Sequence, residues 1–250
     1  MQLKDLNKQI QEIANKIRTN QLGPTGNIYT SLGLLMSVWE AKCLDLDHID
    51  VVEFGVANGN GLISLIEHAN VFSNTFEIGI SVTGFDTGTG MPAPTDYKDH
   101  PELWKEHGFS MDVEMLEERI NNRATLILGN VKDTVPVFCQ NYTGVLGFVS
   151  VDVDQYTSTK DALRLFLMES KRYLPAMPCY FDDVDVSFMF NPHCGEELAI
   201  NEFNQQNSMR KICRKSEIYR IPNLYALHVL DHPVCAGTVA PAHPLSMQPF

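Results

Sequence analysis

One stretch narrows the fold more than any other: Val51-Val52-Glu53-Phe54-Gly55-Val56-Ala57-Asn58-Gly59-Asn60-Gly61. A short apolar run ends in an acid, a glycine-rich turn follows, and Leu62-Ile63-Ser64-Leu65-Ile66 opens a helix. This reads as strand, tight turn and helix N-terminus. Glycine tolerates positive φ and carries no Cβ, so a ligand can lie on bare backbone there. The helix that follows offers unpaired N–H groups. Glu53 repels phosphate and suits an ammonium or hydroxyl donor, so the turn fits a nucleoside bearing an amino acid better than a pyrophosphate.

The rest of the chain alternates between strand and helix patterns. Leu3, Leu6, Ile10, Ile13 and Ile17 form one apolar stripe on an amphipathic helix. Packing on the domain, contact with a second copy in a homo-oligomer, and cover over the site are the roles open to it. The segment 21–26 breaks that helix, and a second follows over Ile28–Cys43. Strands are expected near 50–54, 78–85, 124–128, 145–151, 179–181, 212–221 and 224–230. Helices are expected over 61–69, 111–120, from Ser158 as cap to about Tyr173, and over 196–207. Val145–Val151 is almost continuously apolar, as a strand buried on both faces should be. Residues 93–110, rich in Pro, Asp, His and Gly and containing Trp104, read as a surface loop able to act as a lid. The pattern implies α/β architecture: a doubly wound, mostly parallel seven-stranded sheet with helices on both faces. It divides into a helical cap at 1–45, a ligand-binding catalytic domain at 46–235 and an irregular tail at 236–250.

Composition removes several function classes. The formal net charge of −12 over 250 residues opposes nucleic-acid backbones, so no nucleic-acid partner is expected. No apolar run of about 18 residues occurs, so no membrane span is expected, and the N-terminus lacks an apolar signal core. Six cysteines are scattered without a C-x-x-C pair. They read as reduced thiols of a cytoplasmic protein, with a zinc or disulfide site as the alternative.

In a doubly wound sheet, ligands bind beyond the carboxyl ends of the strands. Those ends carry Glu53 with its glycine turn, Asp86, Asn130, Asp152 with Asp154, and Asp182 with Asp183. Asp86 sits where a ribose diol would lie, or else caps a turn. Asn130 could read an adenine edge, or simply end its strand. Asp152 and Asp154 leave the same strand face, and with Asp182 and Asp183 they could surround Mg²⁺, which takes few carboxylates and keeps waters. Capping of helices or turns is the other role for these acids. A cation there would acidify a bound hydroxyl, and an aspartate could take its proton. A rim of carboxylates without a Lys/Arg cluster favours a cofactor bearing hydroxyls and a positive charge.

Four motifs in register carry a family resemblance. Glu53-Phe54-Gly55-Val56-Ala57-Asn58-Gly59 is similar to motif I of class I S-adenosylmethionine methyltransferases, with Ala57 where the middle glycine usually lies. Gly84-Phe85-Asp86-Thr87 with Met91-Pro92, Asp133-Thr134-Val135-Pro136, the run from Asp152-Val153-Asp154-Gln155-Tyr156 to Leu163, and Asp182-Asp183 resemble the macrocin O-methyltransferase family. The resemblance implies a Rossmann-like methyltransferase fold and methylation of a sugar hydroxyl on a natural product or glycan. It also implies S-adenosyl-L-methionine as cofactor and Mg²⁺ as metal. By resemblance, Asp152 would be general base and metal ligand, with Asp182 and Asp183 as further ligands. Glu53, Gly55, Ala57 and Gly59 would hold the methionine part, Asp86 the ribose, and Asn130 with Val131 the adenine side, with Asp152 touching the cofactor. The chain departs from the family at Pro175-Ala176-Met177-Pro178, where a Gly-Gly turn is usual, and in the insert 184–194, whose His193 is either a second base or a hydrogen-bonding loop residue.

Two rival readings come from other classes. Gly55-x-x-x-Gly59-x-Gly61 with Tyr156-x-x-x-Lys160 mimics an NAD(P)-dependent short-chain oxidoreductase. The spacing between the two is short for that family, and Gly144 stands where its serine would lie. A non-catalytic nucleoside-binding subunit, assembled through the N-terminal helix, is the other.

Overall fold

The run Leu146–Val151 is buried at every position and lies inside a seven-stranded sheet. The structure, a computed structural model, describes residues 2–19, 21, 27–184, 188–215 and 223–245. The strands are β1 (His48–Phe54), β2 (Gly79–Asp86), β3 (Thr125–Leu128), β4 (Leu146–Val151), β5 (Ala176–Phe181), β6 (Arg210–Arg214) and β7 (Leu224–Val229). Their order across the sheet is β3-β2-β1-β4-β5-β7-β6. Strands β1 to β5 run parallel, and β7 is antiparallel to both β5 and β6. Strand order reverses between β1 and β4, where a ligand crevice opens in sheets of this kind.

Among the described residues, seven α-helices surround it: α1 (Leu3–Arg18), α2 (Ile28–Cys43), α3 (Asn60–Phe76), α4 (Val113–Ile120), α5 (Val131–Asn141), α6 (Tyr156–Ala162) and α7 (Gly195–Gln206). The apolar stripe of α1 packs inside the chain, with Leu6, Ile10, Ile13, Ala14 and Ile17 all buried. It rests on α2, where Trp39 Nε1 donates to Asn7 Oδ1 at 2.8 Å. Helix α2 is buried nearly all round and sits directly on the sheet. Its Ser37 hydroxyl donates to Gly147 O at 2.6 Å, and its Glu40 accepts the Ala176 N–H at 2.9 Å. Helix α2 thus belongs to the layer covering β4 and β5.

Three helices differ from the sequence reading, which expected none over 131–141, where α5 forms. Helix α3 continues past Ala69 to Phe76, because Phe72 and Phe76 extend its buried face. Helix α6 ends at Ala162 instead of reaching Tyr173, and short 3₁₀ turns follow at Leu163–Leu167 and Ser170–Arg172. The buried Tyr173 sets this geometry: its hydroxyl donates to Leu165 O at 2.8 Å and accepts the Met168 N–H at 2.6 Å. Residues 236–245 form no helix or strand. The expected break at 22–26, the strand over 216–221, insert positions 185–187 and tail positions 246–250 lie outside the described residues. No helix among the described residues is long and apolar enough to cross a membrane.

Candidate active site

The sheet's hydrogen bonding continues one step beyond the strands and builds the rim. Gly129 N–H donates to Asp86 O at 2.8 Å, and Gly55 N–H to Phe85 O at 2.9 Å. Asp152 N–H donates to Phe54 O, and Asp182 N–H to Val151 O, both at 3.0 Å. Phe54 pairs with Val151 and Val151 with Phe181, so Gly55, Asp152 and Asp182 come level. Parallel register, rather than any single motif, brings the acids together.

Gly55 takes φ +83°, and a Cβ there would run into the Asp152 carbonyl. Only glycine lets the turn after β1 lie against the turn after β4. Behind it, Glu53 is buried with Oε2 unpartnered. Its other oxygen lies where a Cβ on Gly61 would stand. Burial, then the charges of Asp152 and Asp86, push the Glu53 carboxyl well above the ordinary range. Asp86 accepts the Ala57 N–H at 2.9 Å and the Gly88 N–H at 2.7 Å, so it clamps the glycine turn to the loop after β2. The turn-capping role is therefore filled, with one further lone pair per oxygen left over. Asn130 caps α5 by accepting the Lys132 N–H at 2.9 Å, which leaves its amide N–H₂ for other use.

A cavity of about 320 Å³ opens over this rim. Gly55, Ala57, Asp86, Asn130 and Val131 line one part; Asp152, Asp154, Asp182 and Asp183 line another. Of the expected site residues, Glu53 and Gly59 lie outside that lining. Glu53 stands behind the turn, and Gly59 caps α3 beneath Leu116. His193 is exposed and also outside the lining.

Asp152, Asp182 and Asp183 each offer an oxygen within 4.8 Å of the others. Burial, then Asp182 and Asp183, push the Asp152 carboxyl well above its usual range. Burial, then Asp154, which is hydrogen-bonded to it, push the Asp183 carboxyl well above its usual range. Asp154 is raised as well, chiefly through burial. It takes φ +60°, a sparsely populated conformation for a residue with a side chain. Asp183 Oδ2 is buried with no hydrogen-bond partner. Three hard oxygen donors, one of them orphaned, fit a small divalent cation.

Three residues near the site escaped the sequence reading. Glu196, in the first turn of α7, is fully buried and accepts the Asp183 N–H at 3.1 Å. Burial, then Asp183, Asp152 and Asp154, push its carboxyl well above the usual range. Asp99 is wholly buried and fixes the 93–110 loop. It accepts from Thr95 N–H at 2.8 Å, Thr95 Oγ1 at 2.7 Å, Thr157 N–H at 2.7 Å and Thr157 Oγ1 at 3.0 Å. Gln155, at the start of α6, donates to Pro92 O at 2.9 Å and ties that loop to the acid turn. The loop is thus pinned at its centre, and the expected Ser158 cap is replaced by Asp99 binding the helix start from outside. From it Trp104 lines the cavity, its Nε1 buried without a partner. The Trp104 ring lies 6.3 Å from Phe109 and 6.4 Å from Phe190, which belongs to the insert.

No protein-family model matches the chain, and no curated protein sequence matches it. Among solved structures, the O-methyltransferase NovP superposes with a TM-score of 0.57 at 17% identity, over 81% of this chain and 79% of that one. CalS11, a calicheamicin methyltransferase, gives 0.56 at 20% identity, over 91% of this chain and 92% of that one. Likeness at such identity is likeness of fold. With its strand order and its acid-rimmed switch point, the chain has the Rossmann-like fold of class I S-adenosylmethionine methyltransferases and resembles two O-methyltransferases in it.

Proposed function

We propose that the chain is an S-adenosylmethionine-dependent O-methyltransferase acting on a hydroxyl of a small molecule, with a sugar moiety of a natural product or glycan as the acceptor class. The observation that carries this reading is the shared cavity. The glycine turn, Asp86 and Asn130 face the same space as Asp152, Asp154, Asp182 and Asp183. The oxidoreductase reading fares less well on this geometry. Tyr156 donates to Glu202 at 2.8 Å and lies outside the cavity lining, so the tyrosine of an oxidoreductase pair has no counterpart there.

S-adenosylmethionine, when bound, supplies a methyl group on a cationic sulfur. The residues around it do the rest. Gly55 and Ala57 give bare backbone to its amino-acid part, with the Glu53 carboxyl behind the turn. Asp86 takes ribose hydroxyls on its free lone pairs, and Asn130 with Val131 flanks the base. Asp152 receives the acceptor's proton as the O–C bond forms and the C–S bond breaks. Alignment of the two partners by fixed walls can supply about 7–11 kcal/mol of the barrier. Asp152, Asp182 and Asp183 would hold a divalent cation such as Mg²⁺, whose chemistry there is to acidify and orient a hydroxyl. Asp154 is a second reading for the base. It lines the same cavity outside the cation cluster.

Among the described residues, no basic side chain lines the cavity. Trp104 and Phe109 give it an apolar wall, which suits a neutral acceptor ring better than a phosphorylated one. Calorimetric titration with S-adenosylhomocysteine, with and without Mg²⁺, tests the proposal. Saturable uptake is expected, and no heat at millimolar ligand would overturn it.

A further inference from the structure

We infer that Glu196 is a positioning residue for the cation cluster of Asp152, Asp182 and Asp183; the inference rests on the reading of that cluster given above. An acid in a helix's first turn ordinarily faces solvent, where the helix dipole favours it at little cost. Glu197 conforms and is partly exposed, whereas Glu196 beside it points inward and is fully buried. Its Oε2 accepts the Asp183 N–H at 3.1 Å, a bond that crosses from α7 to the turn carrying two of the three cluster acids. The other side of that turn is held as well. The Tyr180 hydroxyl donates to Asp182 Oδ1 at 2.9 Å, and Asn223 Nδ2 donates to Asp182 O at 2.8 Å. Asp182 is therefore fixed from β5 and from the entry to β7, and Asp183 from α7.

Stability alone is a poor account of Glu196. Burying a carboxylate to satisfy one backbone N–H costs more than it returns, and an apolar residue or an amide would do better. Its Oε1 and the nearby Asp183 Oδ2 both lack a partner. What the side chain does achieve is reach: it spans from α7 to the Asp183 amide and sets where the Asp183 carboxylate stands. Partners of metal ligands commonly set affinity in this way.

Reach and charge can be separated. Glu196→Asp keeps the charge but shortens the arm, whereas Glu196→Gln keeps the arm and an acceptor oxygen but loses the charge. Mn²⁺ binding followed by electron paramagnetic resonance is the readout, with S-adenosylhomocysteine affinity by calorimetry as the control. E196D should weaken Mn²⁺ binding about tenfold or more, while E196Q stays within about threefold of the wild type. Nucleoside affinity should be unchanged in both. Wild-type Mn²⁺ affinity in E196D, or equal weakening in E196Q, would overturn the positioning role. A wild-type protein that takes up the nucleoside but no Mn²⁺ would remove the cation cluster itself, and this inference with it.

Discussion

The Asp99 carboxylate accepts the Thr157 N–H at 2.7 Å, so a residue of the 93–110 loop caps a helix 58 positions further on. It also binds Thr95 on its own loop, which makes one buried acid the pin between the loop and the start of α6. Burial pushes its carboxyl up, but the hydrogen bonds from Thr95 and Thr157 more than reverse this and hold it below the ordinary value. Its contribution is thus present above the unfolded value of 3.8 and is lost as pH falls through the depressed folded one. Asp99→Ala should cost about 3 kcal/mol, because it strands buried donors that had a charged acceptor. Urea unfolding at pH 7 measures this. The variant should also lose part of the acid-side fall in stability, and limited proteolysis should cut within 93–110. Wild-type stability at pH 7 would mean that other contacts hold the loop.

Sequence reading reached the sheet and its acid rim because both rest on local signals. Apolar runs ending in Glu53, Asp86, Asp152 and Asp182 are visible one strand at a time, and parallel pairing then levels them. Asp99 and Glu196 were not legible for the opposite reason. Asp99 sits among other acids in a polar loop, and Glu196 is one of two adjacent acids opening a helix. Nothing local says which of them turns inward; only the packing of the loop on α6, and of α7 behind Asp183, decides it. The early end of α6 was hidden likewise, since it depends on Tyr173 reaching back to Leu165.

Gly61 is the position where a small change should travel furthest. A Cβ there would meet Glu53 Oε1, and Glu53 is buried with little room to yield. Gly61→Ala should therefore cost roughly 1–3 kcal/mol by overpacking. Shortening the acid should relieve it: G61A/E53D is expected to be more stable than the sum of the single changes allows, by about 1 kcal/mol. Additive behaviour in a denaturation cycle would place the two side chains out of contact.

Asp152 and Asp154 can be told apart by paired amide variants. Asp152→Asn removes a cluster oxygen and the proposed base together. Turnover should be nearly abolished, with S-adenosylhomocysteine affinity within about tenfold, since base removal costs about 10²–10⁴ in rate before any cation effect. Asp154→Asn keeps the three cluster acids Asp152, Asp182 and Asp183 and changes only a neighbour hydrogen-bonded to Asp183. If Asp152 is the base, D154N should keep at least a tenth of the wild-type rate and its Mn²⁺ affinity. Loss of turnover with Mn²⁺ affinity kept would move the base role to Asp154, and equal turnover in D152N would take Asp152 out of the mechanism.

Glu40 gives a pH test remote from the site. It is buried in α2, where its Oε1 accepts the Ala176 N–H, and burial pushes its carboxyl up to about 7 from an ordinary 4.5. A raised carboxyl binds its proton more tightly folded than unfolded. The stability this provides is complete below pH 4.5 and falls away as pH rises to about 7, beyond which both states are ionised. The span corresponds to roughly 3 kcal/mol. Glu40→Gln keeps an acceptor for Ala176 but cannot ionise. The stability of the variant relative to wild type should therefore climb by about 2 kcal/mol between pH 5 and pH 8 and stay level above that. Any cost of the unpartnered amide N–H₂ shifts both ends equally and leaves the climb intact. Chemical denaturation at each pH reads the difference directly, and a flat difference across that range would mean that Glu40 is charged in the folded protein at pH 5.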